Sequence, residues 1–199
     1  MDCLLEARNL SFAYPGKTLF SDLSFKISSN DRLLVTGPNG SGKTTLLKLI
    51  LGNLRPTEGT IIRAPELRIA YCKQDFPNLD FPISAGDIVR MGLYGRKVDN
   101  GTDMARRAME KTNCLHLEKR LFPSLSGGER QRVSLARCLC QNAHILLLDE
   151  PSSFLDAESE QTLIEIMSSL EDSNFAIIAV THDSAITDAL KWKQLRMGL

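Results

Sequence analysis

No stretch of this chain holds the roughly 18 consecutive apolar residues that a membrane-spanning helix needs. The longest clean runs, "ILLL" at 145–148 and "FAIIAV" at 175–180, have the length of buried strands. The first residues, "MDCLLEARNL", are acidic early and lack the basic-then-apolar order of a secretion signal. A cytoplasmic location is therefore expected. Net charge is missing too: 24 Lys and Arg balance 24 Asp and Glu. There is no basic stripe, so no nucleic-acid partner is expected. Cysteine is sparse and odd in number, at Cys3, Cys72, Cys114, Cys138 and Cys140. None has the x-x spacing of a zinc or redox site. Cys138 and Cys140 fall in a helical pattern, where i and i+2 do not share a face, so all five are expected to be reduced and structural. Repeats and low-complexity segments are absent.

What is present fits one domain with room for an insert. A chain of 199 residues buries about 70% of its unfolded surface without staples. The segment "LLEARNLSFAYPGKTLFSDLSFKI" alternates around a Pro15-Gly16 turn and reads as antiparallel strands at an edge. "RLLVTG" (32–37), "EGTIIR" and "LRIAYCKQ" (67–74) read as further strands. Thr44 to Leu51 reads as a buried helix ending at Gly52. From about Phe76 to Cys140 the pattern is helical, with loops at "FPNLDFP" and "GRKVDNGTD". Ser84 and Asp87 have capping-box spacing there. "HILLLDEP" and "FAIIAVTHD" are continuous apolar strands, separated by a helix from about Ala157 to Leu170. Continuous runs mean strands covered on both faces, hence a parallel sheet.

"GPNGSGKTT" (37–45) places three glycines and a lysine between an apolar strand and a helix. Glycines let successive backbone N–H groups turn inward, where a Cβ would obstruct them. The helix start adds about half a positive charge at the same place. This is the phosphate-binding loop pattern G-x-x-x-x-G-K-[ST]. The expected phosphate set is Gly37, Pro38, Asn39, Gly40, Ser41, Gly42, Lys43, Thr44 and Thr45. Lys43 would face the β- and γ-phosphates, and the Thr44 hydroxyl could ligate Mg²⁺. Asp149 ends a buried strand, where a carboxylate is costly unless it faces a cation; it is the second expected Mg²⁺ ligand. Glu150 follows at once and would orient the attacking water. Farther back, "LSGGERQRVSLARCL" (125–139) sets Ser126 three residues before Glu129, with two glycines between. That is a second capped helix start, rich in N–H groups.

The phosphate loop, the strand-end acids and the L-S-G-G-x motif, in this order, resemble the ATP-binding cassette of ABC transporters. The resemblance covers nearly the full length. It implies an α/β fold: a phosphate-loop NTPase core (RecA-like) with a mainly parallel sheet, an N-terminal antiparallel β-subdomain and an inserted α-helical subdomain. The core and β-subdomain would span about 1–75 and 141–199, and the helical subdomain about 76–140. Taken alone, Gln74, His182 and Tyr14 read as ordinary structural or solvated residues. Through the resemblance, Gln74 becomes the glutamine that reaches Mg²⁺ and the γ-phosphate, and His182 the histidine on the γ-phosphate. Tyr14 becomes the ring that stacks on adenine, and Asp156 the acid of the "SSFLD" loop. His116 and His144 match nothing and are taken as structural.

The resemblance further implies ATP and Mg²⁺ as cofactors and a head-to-tail homodimer in the ATP-bound state. Ser126, Gly127, Gly128 and Glu129 of one copy would close on the ATP of the other. Transmembrane permease subunits and a substrate-binding protein are implied partners, with the chain peripheral on the inner face of the membrane. "QDFPNLDFPISAGDIVRMGLYGRK" (74–97) is similar to cassettes of manganese, zinc or iron importers. The chain stops 17 residues after His182, so the trailing strands are expected to be short or absent. A soluble, non-transport ABC ATPase remains the alternative, although it normally carries two cassettes or a coiled-coil insert. A module that binds ATP only structurally would not need Glu150, Gln74 and His182 together.

Overall fold

A computed structural model of the chain describes residues 3–73, 81–96 and 98–198. The turn at Pro15-Gly16 folds β1 (Cys3–Tyr14) against β2 (Lys17–Ser28), with Ala7 opposite Phe25 and Tyr14 opposite Lys17. β4 (Glu58–Arg63) pairs antiparallel with the other edge of β1. This three-stranded sheet, in order β2-β1-β4, is the N-terminal antiparallel sheet that the alternating pattern predicts.

A second sheet has five strands in the order β5-β6-β7-β3-β8, all parallel. They are β3 (Arg32–Thr36), β5 (Ile69–Cys72), β6 (Ile145–Asp149), β7 (Ala176–Val180) and β8 (Lys193–Arg196). Every residue of β6 and β7 is buried, because each strand feeds two cores in alternation. Leu33, Val35, Ile145, Leu147, Ile178 and Val180 face α1 (Lys43–Leu51) and the antiparallel sheet. Leu34, Leu146, Leu148, Ile177 and Ala179 face the other way, onto α5 (Ala157–Ser169) and α6 (Ser184–Leu190). Fully burying each such side chain is worth about 1.5–3 kcal/mol. Each layer therefore contributes well over the net stability of an ordinary domain before chain entropy is subtracted.

Between β5 and β6 lies the helical insert, α2 (Ala85–Arg90), α3 (Gly101–Lys111) and α4 (Gly127–Cys140). It has its own cluster, including Val89, Met109, Phe122 and Val133. The Ser84–Asp87 capping box starts α2 as expected. α3 begins at Gly101, inside the segment expected to be a loop, and α1 begins one residue earlier than expected. β5 is shorter than its apolar pattern. The Leu67 amide turns back to the Ala64 carbonyl, and the Arg68 amide donates to His144 Nδ1, so neither joins the ladder. After His182 the chain still forms α6 and a short β8 beside β3.

Candidate functional site

Parallel strands put all their carboxyl ends on one edge, and register sets the level of each. Val35 on β3 pairs with Val180 on β7, and Val180 pairs with Asp149 on β6. The loop after β3, the acids after β6 and His182 after β7 therefore leave the sheet side by side. Two loop amides tie the level together: Thr181 N–H donates to the Val35 carbonyl at 3.1 Å, and Glu150 N–H to the Val180 carbonyl at 3.0 Å.

The 37–42 loop wraps into the start of α1. Gly42 has φ +94°, and a Cβ there would fall 3.0 Å from the Phe20 ring. The β-hairpin thus presses on the loop, and only glycine fits. Helix α1 has no side-chain cap, whereas α2, α4 and α5 each begin on a capping Ser84, Ser126 or Asp156. Its first N–H groups are left for an acceptor from outside the chain. Ser41 Oγ, buried and without a hydrogen-bond partner among the described residues, adds a donor of the same kind. The loop fits a phosphate chain on these grounds.

Lys43 is only 5% exposed. Its ammonium donates to the Gly37 carbonyl at 2.9 Å and the Pro38 carbonyl at 3.2 Å, and lies 3.7 Å from Glu150 Oε1. Thr44 Oγ1 donates to Asp149 Oδ1 at 3.2 Å, and the Tyr71 hydroxyl to Asp149 Oδ2 at 2.8 Å. The two acids diverge. Asp149 turns toward Thr44 and Tyr71. Glu150 turns toward Lys43, the Ser153 hydroxyl at 3.1 Å and His182 Nδ1 at 3.2 Å. A cavity of about 400 Å³ opens beside the loop, between Thr36–Pro38, Thr181–Ser184 and β8, with Gln194 and Arg196 in its wall; Lys43 and Thr44 do not line it.

Asp149 is 3% exposed, and burial raises its carboxyl pKa above the ordinary 3.8, outweighing the Tyr71 and Thr44 hydrogen bonds. The folded chain then holds this proton to higher pH than the unfolded chain does. Stability falls as pH rises from about 3.8 through the raised value, and the cost remains above it. A buried anion lacking full compensation, with a hydroxyl beside it, is an oxygen donor set suited to a hard divalent cation such as Mg²⁺. We expect Asp149→Asn to raise the melting temperature of the nucleotide-free chain by roughly 2–4 °C, what about 1 kcal/mol is worth at this size. The same variant should lose the further rise that ATP with Mg²⁺ gives the parent. A melting curve that drops in the absence of nucleotide would contradict the charge argument.

The signature corner stands on the insert. Ser126 N–H donates to Glu129 Oε2 at 2.8 Å, and Glu129 N–H to Ser126 Oγ at 3.3 Å. These bonds and Arg120, 2.7 Å from Glu129 Oε1, hold the Glu129 carboxyl pKa down, with the Ser126 backbone bond the main cause. A Cβ on Gly128 would lie 2.2 Å from Ser159 Oγ, so α4 and α5 meet only because that position is bare. Asp156 caps α5 through Ser159 N–H at 2.8 Å, a contact that lowers its carboxyl pKa. Tyr14 is 46% exposed and edge-on to Phe12. It pairs across the hairpin with Lys17, whose Nζ reaches toward Gly40. Asn39 is exposed and Thr45 buried. Gln74 lies outside the described residues, as do 75–80 and 97 of the segment likened to metal-importer cassettes.

Sequence reading missed Tyr71, Ser153 and Lys17. Tyr71 carried one available signal: strand alternation puts it on the opposite face from Ala70 and Cys72, toward α1.

A family model described as ABC transporter matches residues 20–153. The manganese transport system ATP-binding protein of Bacillus subtilis (strain 168) is 36% identical over 194 residues, covering 90% of this chain and 77% of its own length. The hemin import ATP-binding protein of Thermobifida fusca (strain YX) is 37% identical over 201 residues, covering 94% of this chain and 70% of its own. Among solved structures, an inward-facing ABC transporter described as of metal-chelate type superimposes with a TM-score of 0.88 at 34% identity, covering 99% of this chain and 80% of that one. With the family model over two thirds of its length and these relatives over nine tenths, the chain belongs to the ABC transporter family, as one of its ATP-binding cassettes.

Proposed function

We propose that this chain hydrolyses ATP to drive import of a metal ion or metal chelate through separate membrane subunits. One observation carries the chemistry: Lys43, Asp149, Glu150 and His182 converge on the edge where the uncapped start of α1 opens. ATP would lay its phosphates in the 37–45 loop, taking N–H groups of α1 and the Ser41 hydroxyl. Lys43 would exchange the Gly37 and Pro38 carbonyls for phosphate oxygens. Thr44, Asp149 and Gln74 would hold Mg²⁺. When bound, Mg²⁺ would neutralise charge on the β- and γ-phosphates. Glu150, braced by Ser153 and His182, would orient a water for in-line attack and accept its proton as the γ-phosphate leaves. Tyr14 would stack on adenine.

The γ-phosphate's outer face would stay open in one copy. A second copy, head to tail, would bring Ser126, Gly127, Gly128 and Glu129 to it, with Asp156 in the facing loop. Triphosphate would then join two positive helix ends, and hydrolysis would release them. The chain would work at the inner face of the membrane. No helix among the described residues is long and apolar enough to cross it, so the pore would come from permease subunits, with a substrate-binding protein outside. The metal assignment rests on the manganese and hemin relatives and on the metal-chelate structural neighbour.

Affinity purification from native membranes in mild detergent tests this reading. The expected companions are a multi-span membrane protein and an extracytoplasmic metal- or chelate-binding protein. Ribosomes or DNA in their place would favour the soluble, non-transport ATPase.

A further inference from the structure

Two cysteines that the ATP site does not use meet where the helical insert joins the core. Cys72 ends β5, two residues before Gln74. On α4, Gln131, Leu135 and Cys138 form a buried stripe at helical spacing. Leu135 and Cys138 pack in one cluster with Ala70 and Cys72 of β5. Cys72 and Cys138 are each 1% exposed. Gln131 Nε2 donates to Cys72 Sγ at 3.9 Å, and the two thiols are near enough for each to shift the other's ionisation, Cys72 upward and Cys138 downward. Both are free thiols. Cys140 packs instead into the insert's own cluster and does not compete for either partner.

A cleft reaches Cys138. A cavity of about 640 Å³ opens between α3, the end of α4, β5 and the segment before β7. Ala70, Leu139 and Phe175 line it together with Cys138, while Cys72 is not among the lining residues. A small neutral oxidant entering it meets Cys138 and Cys140, and of the pair it reaches Cys138 before Cys72.

We propose that Cys72 and Cys138 are a redox pair, oxidised by hydrogen peroxide to a disulfide that ties α4 to β5 and stops the cassette. Cys138 Sγ attacks one peroxide oxygen and the O–O bond breaks, leaving a sulfenic acid and one water. Cys72 Sγ then attacks Cys138 Sγ and the S–O bond breaks, releasing a second water. The two thiols lose two electrons and two protons, and the peroxide gains them. The arrest of turnover rests on the function proposed above, in which the insert carries the Ser126–Glu129 corner to a second copy; a bond from α4 to β5 would fix the insert, and with it that corner, against the core. The disulfide itself does not depend on that reading.

The test exposes the purified full chain to hydrogen peroxide, blocks remaining thiols and maps unreduced peptides by mass spectrometry. The expected result is a peptide pair joined through Cys72 and Cys138. ATPase turnover should fall at least tenfold and return with dithiothreitol. Cys138→Ala should match the parent's turnover and keep it in peroxide, with Cys138→Ser as a second variant if alanine disturbs folding. Oxidation of the exposed Cys3 without any joined pair overturns the proposal. A joined pair with unchanged turnover overturns the arrest. In a chain with no turnover before peroxide the proposed function fails, and peptide mapping alone decides the pair.

Discussion

Replacing Glu150 with glutamine is expected to leave ATP binding near the parent value while cutting turnover at least a hundredfold. Glutamine keeps the size of the side chain and can still accept from the Ser153 hydroxyl, which now donates to Glu150 Oε2 at 3.1 Å. It cannot take a proton from water, and a positioned general base is worth roughly 10²–10⁴ in rate. The phosphate loop and α1 are untouched, and Lys43 loses only the carboxylate charge 3.7 Å away while keeping its ammonium, so the contacts proposed to bind ATP survive. Hydrolysis would no longer dissolve the pair, and the ATP-bound dimer should accumulate. Light scattering after size separation, with ATP and Mg²⁺ present, checks both halves. A variant that holds nucleotide yet stays wholly monomeric would end the head-to-tail reading, though not the assignment of the pocket.

Lys43→Ala should weaken ATP binding by a hundredfold or more. Charge-assisted hydrogen bonds contribute about 1.5–3 kcal/mol each, and about 1.4 kcal/mol is a factor of ten. An ammonium that bonds two phosphate oxygens in a buried setting reaches that loss on its own. Nucleotide-free stability should drop as well, since the Gly37 and Pro38 carbonyls lose their donor and Glu150 loses the cation 3.7 Å away. Calorimetric titration with ATP gives the affinity, and a melting curve separates unfolding from lost binding. An unchanged dissociation constant in a folded variant would remove Lys43 from the phosphate site.

The parallel core was legible because its signal is local and redundant. Four apolar residues in a row before Asp149, and six before Thr181, leave no solvent face for a strand. The sheet must therefore be covered on both sides, and Leu146 and Leu147 do face opposite clusters. The loop was legible because glycine, lysine and threonine must follow one another along the chain to line one turn. What escaped was non-local. The Tyr71 hydroxyl bonds a carboxylate 78 residues away, and nothing within the strand around it marks that partner. Gly101 starts α3 behind Asn100, whose side chain makes no capping bond, and an Asn-Gly pair reads as a turn rather than a helix start. The start of β5 was placed too early because Leu67 extends the alternation of Ile69 and Tyr71, while its amide is committed to a turn. For Gln74, the described residues stop one short.

Glu150 also sits on left-handed backbone, φ +46°. That conformation costs an ordinary L-residue about 1–2 kcal/mol and costs glycine almost nothing, with asparagine sometimes tolerated. Its neighbour Asp149 keeps a poorly hydrated charge in the interior. The two positions nearest the chemistry are thus the two where the fold would gain from a different amino acid. Breeding this chain for heat tolerance alone, with no demand on its output, would drift toward glycine and asparagine there. The product would be a sturdier and idle molecule.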